Sequence, residues 1–287
     1  MISERSFSLE TPDGETLRGE VRTPRARETD TGILVLHGFK GFRRWGFFPT
    51  LCESLARAGH TVVSFDFSRN GVGPGGLDFD ELEAFAQNTF SRELDEALQV
   101  GWAFREGDLG VPAPRRLGLL GHSRGGGIAV LAADRGPFDA LVTWAAVATF
   151  DRWPDAVKEA WRRDGRIHIP NARTGQAMPL DRALLDDLET NRETLDIEAA
   201  AGRVDLPWLI VHGTDDTAVD PADSERLLEA QPRATSRMIE GAGHTFGATH
   251  PFEGVGPELE SALEATIRHF ERALGPGLAG PASFAQD

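Results

Sequence analysis

A chain of 287 residues, 40% hydrophobic and 26% charged, has apolar material for one substantial core or two modest ones, and too much to stay disordered. Its formal net charge of −15 argues against nucleic acid, whose phosphates need clustered Lys and Arg, and no apolar run approaches the roughly 18 residues of a membrane span. A single cysteine, Cys52, rules out an internal disulfide and fits a reducing compartment; with no basic and apolar leader at Met1–Arg5, the cytoplasm is the expected location.

Two short β-like segments open the chain, Ser6–Leu9 and Leu17–Val21, and the turn chemistry of Thr11-Pro12-Asp13-Gly14 between them predicts a hairpin. Gly32–Leu36 is an unbroken apolar run, which suits a strand buried on both faces of a parallel sheet. Phe48, Leu51, Cys52, Leu55 and Ala56 then recur at helical spacing, with Gly59 as a stop. Thr61–Phe65 reads as a strand, Glu93–Phe104 as a helix, Leu117–Leu120 as a strand and Ile128–Ala133 as a helix. Leu141–Ala145 and Trp208–Val211 follow as strands, and Arg237–Ile239 as a last strand-like segment. Strands alternating with helices predict an α/β fold, a single domain over 1–287 with a mostly parallel sheet covered on both faces.

Between 148 and 204 the alternation lapses. Trp153 and Trp161 stand among charged residues there, with Pro154, Pro170 and Pro179. A stretch of that length is expected to be a mostly helical cap or lid inserted over the active site. Pro257–Leu274 predicts a closing helix with Leu259, Leu263, Ile267 and Phe270 on one face, and 275–287, dominated by Gly, Pro and Ala, a loose tail.

Gly121-His122-Ser123-Arg124-Gly125 fits G-x-S-x-G between a strand and a helix. In that setting a serine sits on a sharp bend, its hydroxyl lifted above the sheet and a helix N-terminus facing developing negative charge. The bland alternative is a glycine-rich turn with a bystander serine; the flanking strand and helix favour a nucleophile. A serine needs an imidazole to take its proton, and the imidazole needs an anion to hold its tautomer. Asp215, Asp216 and Asp220 follow the Trp208–Val211 strand. Asp220, ahead of Pro221, reads as a helix cap, while the residues alone leave Asp215 and Asp216 open. His244, flanked by small residues in Gly241-Ala242-Gly243-His244, is the candidate base, with His250 its rival. Leu36-His37-Gly38-Phe39 turns sharply out of a strand, so the Phe39 and Arg124 amides are the candidate oxyanion donors, and His37 reads as structural.

With these motifs in the order Ser, Asp, His, the chain resembles the α/β-hydrolase superfamily over roughly Thr16 to Leu274. His37-Gly38-Phe39-Lys40-Gly41, Trp45-Gly46-Phe47-Phe48, Phe65-Asp66-Phe67-Ser68-Arg69-Asn70-Gly71-Val72-Gly73 and Gly121–Gly126 are similar to its dienelactone-hydrolase-related and cinnamoyl (feruloyl) esterase-like branch. Dienelactone hydrolases proper carry cysteine where Ser123 stands. The resemblance implies an eight-stranded-type sheet and an insertion before the acid-bearing strand. It also implies an acid four residues after the histidine of His212-Gly213, which is Asp216. The expected activity is that of a serine carboxylesterase on small acyl or aryl esters, hydroxycinnamoyl esters among them, without cofactor or metal. The expected partner is a small-molecule ester, with no nucleic acid and no membrane. A prolyl-oligopeptidase-type peptidase, an acyltransferase or a thioesterase would use the same three residues. For the propeller usual in the peptidase the chain has no room, and a non-catalytic relative would usually have lost one of the three.

Overall fold

In the computed structural model, which describes residues 2–24, 29–171 and 173–275, the chain enters as an antiparallel hairpin of β1 (Ile2–Glu10) and β2 (Thr16–Pro24). Its turn is built by Thr11, whose Oγ1 donates to Asp13 at 2.6 Å and accepts from the Glu15 amide at 2.9 Å. The strands run longer than apolar content alone predicts, because polar residues such as Ser3, Glu4 and Arg5 of β1 and Thr16 and Arg18 of β2 take part in their paired register. β3 (Thr31–Leu36) and β4 (Thr61–Asp66) are buried at every residue, which is why their sequences do not alternate. Between them α1 (Phe48–Arg57) buries the five apolar residues of its helical stripe.

After the short α2 (Leu82–Ala86), α3 (Phe90–Glu106) starts earlier than its apolar stripe suggests. Thr89 caps it by accepting from the Arg92 amide at 3.2 Å, and left-handed Gly107 ends it. β5 (Arg116–His122), α4 (Arg124–Ala133) and β6 (Ala140–Trp144) complete the central unit.

The inserted stretch holds α5 (Asp155–Asp164), β7 (Arg166–Pro170), β8 (Ala177–Asp181), α6 (Arg182–Thr190) and α7 (Ile197–Arg203). It differs from the mostly helical expectation in its antiparallel β7–β8 hairpin, a separate two-stranded sheet. Ile167 and Ile169 are half-buried and alternate with exposed His168 and Pro170, a period of two too short to stand out among the prolines. Trp161 pins the hairpin, donating from Nε1 to the Leu180 carbonyl at 2.9 Å. Gln176 Nε2 donates to the Phe79 carbonyl at 2.9 Å and the Ser91 amide to Asp187 at 3.0 Å, tying the insertion to the loops and helix beneath.

β9 (Trp208–Gly213), α8 (Ala222–Ala230), β10 (Thr235–Ile239) and α9 (Pro257–Leu274) close the described chain. The stretch 276–287, expected as a tail, lies outside the described residues. The sheet order is β1-β2-β4-β3-β5-β6-β9-β10, parallel from β4 to β10, with β1 and β10 as its end strands. One core lies under α3, α4 and the insertion, the other under α1 and α9. α9 is also fixed by a polar bond, Trp144 Nε1 to Thr266 Oγ1 at 2.8 Å. Among the described residues no helix is long and apolar enough to cross a membrane.

Candidate active site

Ser123 stands alone between the last residue of β5 and the first of α4, at φ 59° and ψ −123°. That backbone is strained for a residue with a side chain, by on the order of 1–3 kcal/mol. It persists because its main chain is held on every side. The Ser123 amide donates to the Trp144 carbonyl at 2.9 Å, and its own carbonyl accepts from Gly126 at 2.9 Å and Gly127 at 3.2 Å. The flanking glycines allow the bend through close approach. A Cβ on Gly121 would lie 2.1 Å from the Gly125 carbonyl oxygen, and one on Gly125 would lie 2.2 Å from that of His37.

The loop after β10 brings His244 to this bend. Its Nε2 is 3.0 Å from Ser123 Oγ, and its Nδ1 is 2.7 Å from Asp216 Oδ2. A carboxylate only accepts, so Nδ1 carries the proton and Nε2 offers its lone pair to the serine hydroxyl. Asp216 is 5% exposed, in the loop after β9. Burial by itself would raise its pKa, but hydrogen bonds from His212 and His244 and from the Val219 amide hold it far below the usual carboxylate range. Its Oδ1 accepts from Ala218 N at 2.8 Å and Val219 N at 2.9 Å.

His212 is a second imidazole on the same carboxylate. Its Nε2 is 3.1 Å from Asp216 Oδ2 and 3.1 Å from the Val219 carbonyl, while Nδ1 is 2.6 Å from Ser224 Oγ. Two acceptors at Nε2 place a proton there.

The competing residues lie elsewhere. Asp215 is exposed and accepts from Thr214 Oγ1 at 3.0 Å. Asp220 accepts the Ala222 amide at 2.9 Å at the start of α8, as a helix-start residue does. His250 accepts from the Gly46 amide at 3.0 Å and packs against Trp45 and Phe42. The structure thus brings Ser123, His244 and Asp216 together and leaves Asp215, Asp220 and His250 out.

Gly38 lies directly against the bend, since a Cβ there would meet Ser123 Cβ at 2.9 Å. Phe39 follows directly, its ring centroid 3.8 Å from the guanidinium carbon of Arg124, the residue after Ser123. Among the described residues the Phe39 and Arg124 amides have no hydrogen-bond acceptor. The loop carrying Phe39 is anchored by Arg43, whose amide donates to Asp66 Oδ1 at 2.6 Å and whose guanidinium reaches Asp66 Oδ2 and buried Glu20. His37 is buried, its Nδ1 2.9 Å from the Gly38 carbonyl, and burial drives its pKa down to about 4.

Three further residues escape sequence reasoning. His122 Nε2 is 2.9 Å from the His244 carbonyl. Glu93, buried on α3, faces Arg124 with its Oε1 3.4 Å from Nη1. Asp66 closes β4 and holds Arg43. Only Glu93 leaves a local trace, as an acidic residue at a buried position of a helix. Among the described residues no cluster of three His, Cys, Asp or Glu is arranged to hold a metal ion.

Comparison with known proteins supplies the family. A family model described as "Alpha/beta hydrolase family" matches residues 33–257. Est1E from Butyrivibrio proteoclasticus, in a structure with ferulic acid bound, superposes with a TM-score of 0.69 at 21% identity, over 93% of this chain and 99% of that one. The esterase domain of a Rhodothermus marinus protein gives 0.64 at 18% identity, over 95% and 100%. At such identities these two likenesses show the fold. Polyketide synthase ThaQ of Burkholderia thailandensis is 34% identical over 95 residues, which are 33% of this chain and 4% of that protein. On the family match over residues 33–257, the chain belongs to the alpha/beta hydrolase family.

Proposed function

We propose that this hydrolase is a serine carboxylesterase that cleaves small acyl or aryl esters through an acyl-enzyme on Ser123. The observation that carries the reading is the unbroken hydrogen-bond chain from Ser123 Oγ through His244 to Asp216, at 3.0 and 2.7 Å. Ser123 attacks the ester carbonyl while His244 Nε2 takes its proton. Asp216, already anionic, stabilises the imidazolium. Charge developing on the carbonyl oxygen is met by the Phe39 and Arg124 amides, a pair of donors each worth about 2.7–4 kcal/mol in the barrier. His244 then returns the proton to the departing alkoxide, and the same imidazole activates a water that releases the acid. The insertion at 148–204 serves as the cap over this chemistry.

Hydrolysis of a chain-length series of p-nitrophenyl esters, beside methyl ferulate and an aminoacyl amide, tests the reading. Esters are expected to be cleaved, shorter ones faster, and the amide to stay intact. Ser123→Ala is expected to remain folded with turnover near background. Rapid cleavage of the amide with idle esters, or parental turnover in Ser123→Ala, overturns the proposal.

A further inference from the structure

Phe39, beside the nucleophile, is in contact with two cations. The Arg124 guanidinium carbon lies 3.8 Å from its ring centroid and Lys40 Nζ lies 5.6 Å from it. Arg124 also stacks on Phe90, at 4.8 Å, so an aromatic wall holds its charge in place.

Neither cation is fully compensated by the protein. Arg124 is 7% exposed, and its one bond to a carboxylate is the 3.4 Å contact from Nη1 to Glu93. Among the described residues its Nε and Nη2 find no acceptor, and they are not among the fully sealed, partnerless atoms of the interior, so each keeps some accessible surface. Lys40 is one of only two lysines in the sequence. The other, Lys158, is paired with Asp151 and Asp155. Among the described residues Lys40 has no carboxylate partner and donates instead to the Pro170 carbonyl at 3.1 Å, on the β7–β8 hairpin of the insertion. Burial lowers its pKa, and so does the charge of Arg124, which places the two cations in each other's field.

Two like charges held near one another, next to a reacting carbonyl and under a cap, are unfavourable until an anion joins them. Building on the esterase reading, we infer that the ester taken here bears a carboxylate, which binds Arg124 and Lys40 along Phe39 while the ester carbonyl sits at Ser123. Glu93 already takes up part of the Arg124 charge, so a singly charged carboxylate balances the site better than a phosphate dianion. A guanidinium with two adjacent free donors also matches a carboxylate's paired oxygens.

The test compares kcat/KM for charged esters with their chain-matched neutral counterparts, by pH-stat at fixed ionic strength. Monomethyl succinate against methyl pentanoate puts the charge on the acyl side; the acetate ester of glycolic acid against propyl acetate puts it on the alcohol side. In the parent enzyme the charged member of at least one pair is expected to win by about tenfold or more, the ratio that one retained ion pair supplies. Lys40→Met, at a partly exposed position, and the double variant Arg124→Gln with Glu93→Gln, which leaves no buried charge unpaired, are each expected to collapse that ratio. Collapse in either supports the inference. Neutral esters turned over as fast as charged ones in both pairs, or a ratio unmoved in both variants, overturns it while leaving the esterase reading intact. Hydrolysis of none of the four, with the p-nitrophenyl esters and methyl ferulate idle as well, removes both; cleavage of those alone overturns this inference and keeps the esterase reading.

Discussion

His122 and His244 are joined by a hydrogen bond from the ring of one to the main chain of the other. His122 Nε2 donates to the His244 carbonyl at 2.9 Å, with the two ring centroids 4.7 Å apart. Burial, reinforced by the neighbouring His244, drives the His122 pKa down to about 3, so at neutral pH its ring is uncharged. The residue before Ser123 therefore reaches across the site to fix the loop that carries the proposed base.

His122→Ala is expected to lower kcat by about 10- to 100-fold with little change in KM, because the imidazole loses its aim and the substrate keeps its contacts. His122→Gln, which can still donate to that carbonyl, is expected to recover part of the loss. Steady-state kinetics on one p-nitrophenyl ester decides it; unaltered kcat in His122→Ala would refute the positioning role.

Asp216→Asn is expected to cost roughly 10⁴-fold in kcat, as loss of the orienting acid does in serine hydrolases. Asp215→Asn is expected to stay within about twofold, since its exposed carboxylate bonds only Thr214. Equal losses in the two variants would disprove this division of roles.

Gly125→Ala is expected to destabilise the fold by about 3 kcal/mol or more, because the new methyl would meet the His37 carbonyl oxygen at 2.2 Å. Gly75→Ala, where a Cβ meets nothing within 4 Å, is expected to stay within about 0.5 kcal/mol. Urea unfolding of both measures the contrast, and similar midpoints would contradict the packing argument.

Glu96 makes stability depend on pH. Burial raises its pKa from 4.5 to about 7, against opposing hydrogen bonds from Ser68. The folded chain thus keeps a proton that the unfolded chain gives up between pH 4.5 and about 7. Its contribution to stability therefore weakens as pH rises through that window and is lowest above it. Glu96→Gln is expected to be more stable than the parent at pH 8 than at pH 4.5, a differential on the order of 3 kcal/mol. A difference in melting temperature that does not change with pH would sink this.

What the sequence discloses about this molecule follows from the range of the forces involved. β3 and β4 are legible because burial on both faces leaves an uninterrupted apolar run, and α9 because its stripe repeats over a full 18 residues. The β7–β8 hairpin is illegible because its five-residue strands carry prolines and pack against Trp161 rather than the main sheet. In the site, Ser123 and His244 stand out through local turn chemistry. Asp215 and Asp216 share that chemistry, and only the way the main chain carries one inward and the other outward separates them. His122, Glu93 and Asp66 act on residues 122, 31 and 23 positions away, respectively, distances over which no periodicity carries a signal.

The sheet ends in two strands with open backbone margins. β1 carries exposed Glu4 and Glu10, and β10 is exposed at Thr235, Ser236, Arg237 and Met238. A neighbouring molecule that extended the sheet at either margin would have to desolvate charged or polar side chains such as Glu4, Glu10, Thr235, Ser236 and Arg237. The polarity of these margins thus discourages runaway self-association of a protein whose interior is otherwise rich in sticky, β-prone segments.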